Sequence, residues 1–325
     1  MRIGFQVWSQ HVTWPELIAA GRAIDEAGFD ELWSNDHLLP LAPGADAVHE
    51  GLAGPIFEGW SVLFGWAAVT TRVRLGCLVS AAGYRNPAIL VKSATALDHA
   101  SNGRAALGLG AGWAAREHAA FGVELPPIPE RLDRLEAAAA ICRSLLDGET
   151  VTREGRWWRA AGAVNDPGPI GPLPLLIGGS GARRTLRIVA RYADAWSADG
   201  NDVETFGERS ARLDEHCRSI GRDPSAIERT VGLPPVLIRD SRDEAVRELA
   251  RVLVRHGTPP AEDEAAAAAS PFAATADEVE SLLRAYAAAG ASAVMLDWPS
   301  PFDRPTLEAL AAIRARLIPS AKLGG

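Results

Sequence analysis

A (β/α)8 TIM barrel carrying insertion segments is the fold class this sequence predicts, on three observations. Eight short apolar runs rich in β-branched and aromatic residues recur down the chain. Each is followed by a helical pattern, and strands alternating with helices make parallel βαβ units, eight of which close into a barrel. There is no internal repeat and no linker composition that would split the chain, so residues 1–325 read as one domain.

The predicted strands are Arg2–Trp8, Phe29–Asn35, Val73–Ser80, Arg104–Trp113, Pro174–Gly179, Ala193–Ala198, Thr230–Ile238 and Ala291–Trp298. The helices between them carry their own punctuation. Thr13 with Glu16, Ser241 with Glu244 and Thr275 with Glu278 have capping-box spacing, and Pro15 falls in a first turn where its missing N–H costs little. Leu17, Ile18, Gly21 and Ile24 give the stripe that packs a helix onto a sheet, while Gly28 and Gly290 stop helices just before strands two and eight. Three segments exceed the minimal unit: a long connection near 38–57, a region at 148–172 and a loop at 257–274. The second suits a small hairpin around Glu154-Gly155 with Trp157 and Trp158 on one arm; the third contains a run of five alanines.

The chain has 325 residues, 47% hydrophobic and 23% charged, enough apolar material for one large core. A net charge of −8 lacks the basic footprint of a general nucleic-acid binder. Three scattered cysteines (Cys77, Cys142, Cys217) suit a reduced compartment better than a disulfide framework. No apolar stretch approaches a membrane span, so the expectation is a cytoplasmic protein acting on a small molecule. One apolar outer helix face would suit a homodimer. Lysine occurs only at 92 and 322 against abundant arginine, the mark of a GC-rich genome.

In this fold chemistry gathers at the C-terminal ends of the strands. Four of those ends carry tryptophan (Trp8, Trp113, Trp196 and Trp298), an apolar wall suited to an aromatic ring ligand or the substrate beside it. Strand two ends in Asn35-Asp36-His37, where Asp36 can bind a polar cofactor edge and His37 can deliver a proton. Strand four runs into Gly108-Leu-Gly-Ala-Gly-Trp113, which fails as a dinucleotide fingerprint because Trp113 stands where the third glycine belongs. Strand five ends in Ile177-Gly-Gly-Ser-Gly181 and opens a helix at Ala182-Arg-Arg. Free N–H groups there, with Arg183 or Arg184, make an anion site for phosphate. The seven histidines show no metal-ligand spacing, and no serine-hydrolase elbow is present.

Phe29-Asp-Glu-Leu-Trp-Ser-Asn-Asp-His37, Tyr84-Arg-Asn-Pro-Ala88, Gly108–Phe121 and Ile177–Asp194, in that order, resemble the bacterial-luciferase-like superfamily and specifically its coenzyme F420-dependent oxidoreductases. The stretch from Gly110 to Gly122 is similar to a subgroup of actinobacterial members. The resemblance implies a deazaflavin across the barrel mouth, its phosphate at Gly178, Gly179, Ser180 and Gly181, and its ring end near Asp36 and His37. It also implies a bulge at Leu78, Val79 and Ser80, where members often have a non-prolyl cis peptide, and further cofactor contacts at Ala111, Gly112 and Arg116. Sugar-phosphate dehydrogenases of the family carry a carboxylate just after the strand-four glycines; here that position is Trp113, which argues against the same substrate. Glu117 would substitute only if the helix start turned it inward, and the expectation is that it does not. The implied chemistry is hydride transfer between F420 and a C=C, C=N or C=O group, or the reverse, with His37 as proton donor. An FMN-dependent monooxygenase of the same superfamily is the alternative, and a non-catalytic flavin-binding barrel is a third reading kept open by Trp113.

Overall fold

A computed structural model describes residues 1–41, 54–200, 202–257 and 260–317. All eight predicted strands form: β1 (Arg2–Val7), β2 (Glu31–Ser34), β3 (Arg74–Cys77), β4 (Ala105–Gly110), β5 (Leu175–Gly178), β6 (Ala195–Asp199), β7 (Glu228–Leu233) and β8 (Ala293–Trp298). They pair in parallel in the order β3-β2-β1-β8-β7-β6-β5-β4, and β3 pairs with β4 to close the ring. No helix among the described residues is long and apolar enough to cross a membrane.

Side-chain alternation divides the strands' residues between two cores. Trp33, Ala106, Leu176, Ala195, Ala293 and Met295 fill the barrel interior. Their neighbours in sequence, such as Leu32, Leu107, Ile177 and Val294, face the helices and join the larger outer core. Ion pairs close the N-terminal end: Arg2 meets Glu31 at 2.9 Å and Glu228 at 2.6 Å, and the Trp33 indole donates to Glu31 at 2.9 Å.

The outer layer explains one unusual helix residue. Gly21 lies on the buried face of helix Trp14–Glu26, and a Cβ there would stand 2.3 Å from Cδ1 of Trp66. That close approach lets the Trp66 indole donate to the Leu17 carbonyl at 2.9 Å. Gly28 and Gly290 adopt φ of +84° and +99° and end their helices as expected. Glu278 and Thr275 make the reciprocal capping box, whereas Ser241 accepts from the Glu244 amide without a return bond.

Several elements differ from expectation for identifiable reasons. Thr230–Ile238 is not one strand: Pro234-Pro235 follow β7, and Leu237–Ile238 then pairs with Ala273–Ala274 outside the barrel. Proline has no N–H for the ladder. The hairpin near 148–172 forms from Val151–Arg153 and Ala160–Ala163, but Trp157 and Trp158 fall in its connection instead of on an arm. The Arg134 guanidinium sits 4.5 Å from the Trp157 ring, and that stacking holds the connection down. The alanine run predicted as loop is helical, Pro260–Ala269, in keeping with the best helix former. The long connection after β2 lies outside the described residues from 42 to 53.

Candidate active site

Adjacent residues at the end of β2 point to opposite sides, and that parity decides their roles. Asp36 turns outward and is buried, with Arg85 donating to both its oxygens at 2.5 and 2.9 Å. Burial raises the Asp36 carboxyl above its ordinary value, and the Arg85 hydrogen bonds pull against that shift. Arg85 also binds Glu58, the N-cap of helix Gly59–Ala67, whose carboxylate accepts the Ser61 amide at 2.7 Å. Asp36 therefore anchors the strand end behind the mouth. This departs from the expectation that it touches a cofactor.

His37 turns toward the mouth, its side chain partly exposed. Its Nδ1 lies 2.7 Å from Oε1 of Glu117, and the other carboxylate oxygen accepts the Leu38 and Leu39 amides at 2.7 and 3.3 Å. Burial would raise the Glu117 carboxyl, but the bonds from His37, Leu38 and Tyr84 outweigh it and leave the group below its ordinary value. An ionised carboxylate only accepts, so Nδ1 of His37 carries a proton and Nε2 is left for the mouth.

The expectation that Glu117 faces away is thus wrong. Helix Ala115–Ala120 begins after Gly112, whose φ of +79° turns the chain so that its third residue, Glu117, points inward. Arg131 fixes that turn by donating to the Gly112 carbonyl at 2.6 Å. Tyr84 and Arg85, which carried the resemblance only as sequence, prove to support Glu117 and Asp36.

Leu78 and Val79 rest on the interior core and form the floor of the mouth. The peptide between them is cis, and Gln6 donates from Nε2 to the Leu78 carbonyl at 2.9 Å. Val79 needs the glycines around it. A Cβ at Gly110 would lie 2.5 Å from Val79 Cγ2, and one at Gly178 would lie 3.0 Å from Cγ1. Ser80 is fully buried, accepts the Trp60 indole at 2.8 Å and bonds Asp36, so it braces the floor from behind.

After β5, Gly179 adopts φ +121°, a conformation that disfavours any side chain, and Gly181 is exposed. The helix that follows begins at Thr185, three residues later than expected. Arg184 is committed to Asp133 and the Pro129 carbonyl, which leaves the exposed Arg183 as the cation of this turn. Ala111 and Gly112 line the approach from β4, with Arg116 half-buried on the first turn of the next helix.

The four tryptophans separate by strand parity. Trp113 is 40% exposed and stands edge-on to His37, ring centroids 5.4 Å apart, while Trp8 meets the His256 ring at 5.2 Å. Trp196 and Trp298 turn outward, contrary to expectation. Trp196 is fully buried, stacked on Phe206 at 5.7 Å, and donates to the Gly179 carbonyl at 2.9 Å. Trp298 packs between Phe5 and Phe302.

Two carboxylates complete the rim that sequence reasoning missed. Asp199 ends β6, and Asp297 sits one residue before the end of β8. Burial pushes Asp297 up to about 8, although Trp8 hydrogen-bonds it. An aspartate at inward parity within Ala-Val-Met-Leu-Asp-Trp was the available signal. A cavity of about 540 Å³ opens at the opposite face of the barrel, but Arg2, Glu31, Asp30 and Arg314 there are committed to one another or to neighbours, so it is not the site.

Residues 1–298 match the family model described as luciferase-like monooxygenase. An F420-dependent glucose-6-phosphate dehydrogenase of Microbacterium testaceum is 32% identical over 225 residues, 68% of this chain and 64% of that protein's length. A phthiodiolone/phenolphthiodiolone dimycocerosates ketoreductase of Mycobacterium tuberculosis is 32% identical over 276 residues, 78% of this chain and 70% of that one. In fold, the chain is like an F420-dependent secondary alcohol dehydrogenase solved in complex with an F420-acetone adduct. The TM-score is 0.78 at 20% identity, covering 96% of this chain and 97% of that one.

Proposed function

The chain belongs to the luciferase-like monooxygenase family, and we propose that within it the chain is an oxidoreductase that moves a hydride between coenzyme F420 and a small organic substrate. The observation that carries this reading is the His37–Glu117 pair at 2.7 Å, which engages Nδ1 of the imidazole and leaves Nε2 as its proton-transferring nitrogen. The names of the two F420-dependent relatives favour this cofactor over FMN.

The residues present fit such a group. Leu78 and Val79 offer an apolar floor for a flat ring, and Gly178–Gly181 with Arg183 offers a half-buried glycine turn ahead of a helix, suited to a phosphate. Ala111, Gly112 and Arg116 line the side between them. When bound, the deazaflavin supplies the hydride acceptor or donor. The protein's part is proton handling and orientation. His37 takes the hydroxyl proton of an alcohol at Nε2 as its carbon gives up hydride, or returns that proton to a carbonyl oxygen in the reverse direction. Glu117 holds the imidazole in the needed tautomer and stabilises the imidazolium that forms. Trp113 and Trp8 flank the place where the substrate would sit and exclude water from it.

The test is the rate of F420-coupled turnover on secondary alcohols and ketones by wild-type protein and His37→Ala. The variant is expected to lose about 10²–10⁴-fold in kcat while F420 affinity changes little. Unchanged turnover in the variant refutes the assignment.

A further inference from the structure

One side of the mouth is built from the ends of β6, β7 and β8. The segments 197–200, 232–236 and 295–301 contain two carboxylates, Asp199 and Asp297, and neither lysine nor arginine. The arginines of the mouth, Arg116 and Arg183, follow β4 and β5 instead, on the side assigned to the cofactor. Register places Asp297 inward: it pairs with Gln6, whose side chain reaches the Leu78 carbonyl under the mouth. Trp8, the next inward residue of β1, hydrogen-bonds the Asp297 carboxyl and is itself braced by the buried His256. Asp199 lies beside Gly232, where a Cβ would come within 3.7 Å of its Oδ1. Alternation from the interior residue Ala195 turns Asp199 inward as well, and its charge helps raise the Asp297 carboxyl.

We propose that Asp199 and Asp297 select the substrate, admitting an uncharged alcohol or ketone and rejecting phosphate esters. The inference rests on the oxidoreductase reading and narrows it to a substrate class. A phosphate dianion brought to this wall meets an aspartate in a partly desolvated site with no cation from these strand ends, and like charges there repel strongly. A neutral oxygen meets a better partner. Burial holds a proton on Asp297 at neutral pH, so that carboxyl donates one hydrogen bond while Asp199 accepts another. The wall differs in kind from what a protein named for glucose-6-phosphate requires, despite 32% identity to one.

F420 is first titrated into the wild-type protein; failure to bind removes the oxidoreductase reading and this inference with it. The F420-loaded protein is then assayed on uncharged secondary alcohols and ketones and on matched phosphate esters. Inorganic phosphate is titrated calorimetrically into F420-loaded wild-type, Asp199→Asn and Asp199→Asn/Asp297→Asn proteins. Uncharged members are expected to exceed their esters at least tenfold in kcat/KM, and phosphate to bind the double variant at least tenfold more tightly than wild type. Where no panel member turns over, or the double variant does not fold, phosphate binding to wild type and the single variant decides. Preference for the esters, or equal phosphate affinity in wild type and variants, overturns the inference while F420 binding stands.

Discussion

At the scale of single residues, the site depends on one carboxylate with two duties. Glu117 sets the tautomer of His37 with one oxygen and ties the Leu38 and Leu39 amides with the other. Glu117→Gln preserves shape but places an amide where an acceptor-only group stood. The expected result is a fall in kcat of about 10²-fold with F420 affinity nearly intact, and a displaced acidic limb of the pH–rate profile. An unaltered profile contradicts the positioning role. His37 was legible in the sequence because a histidine at the end of a predicted strand has few structural uses. Glu117 was not, since the direction of a side chain on a six-residue helix depends on the left-handed turn at Gly112, which sequence does not display. Asp36 was overread for a related reason: adjacency in sequence suggested a joint role, and strand parity sent the two side chains to opposite sides.

At the scale of elements, β3, β4 and β5 meet at Val79. Gly108, Gly110 and Gly178 all make room for this side chain: a Cβ at any of them would lie within 3.1 Å of a Val79 methyl. Gly110→Ala brings a methyl to 2.5 Å from Val79 Cγ2. It is expected to cost about 1–3 kcal/mol in denaturant-induced unfolding and to weaken F420 binding by shifting the floor. Wild-type stability and affinity in that variant contradict the packing argument. Strand existence was legible throughout, because the β-branched and aromatic runs are short and well punctuated. Strand ends were less so, as Pro234-Pro235 divided a run that looked continuous, and the five alanines formed a helix where length alone had suggested a loop.

At the scale of the whole molecule, His256 and Asp297 bound the pH range of stability. His256 is fully buried, with Nε2 2.6 Å from the Ser300 carbonyl and Nδ1 3.2 Å from the Gln10 amide nitrogen. Burial lowers it to about 4 from an ordinary 6.5, so its contribution is complete above 6.5 and is lost as pH falls toward 4. Asp297 is raised to about 8 from 3.8, so its contribution is complete below 3.8 and is lost as pH rises through 8. Asp297→Asn is therefore expected to flatten the decline of Tm between pH 6 and 9 without changing the acid limb; an identical decline in the variant contradicts the assignment. The barrel that organises all of this presents one mouth, with a glycine turn on one side and a proton-handling imidazole on another. Which cofactor it accepts is the central claim. The most direct measurement is equilibrium titration of the purified protein with F420 and, separately, with FMN, followed by fluorescence. Saturable binding of F420 at one equivalent, with FMN at least tenfold weaker, is the predicted result. Tight FMN binding without F420 binding contradicts it.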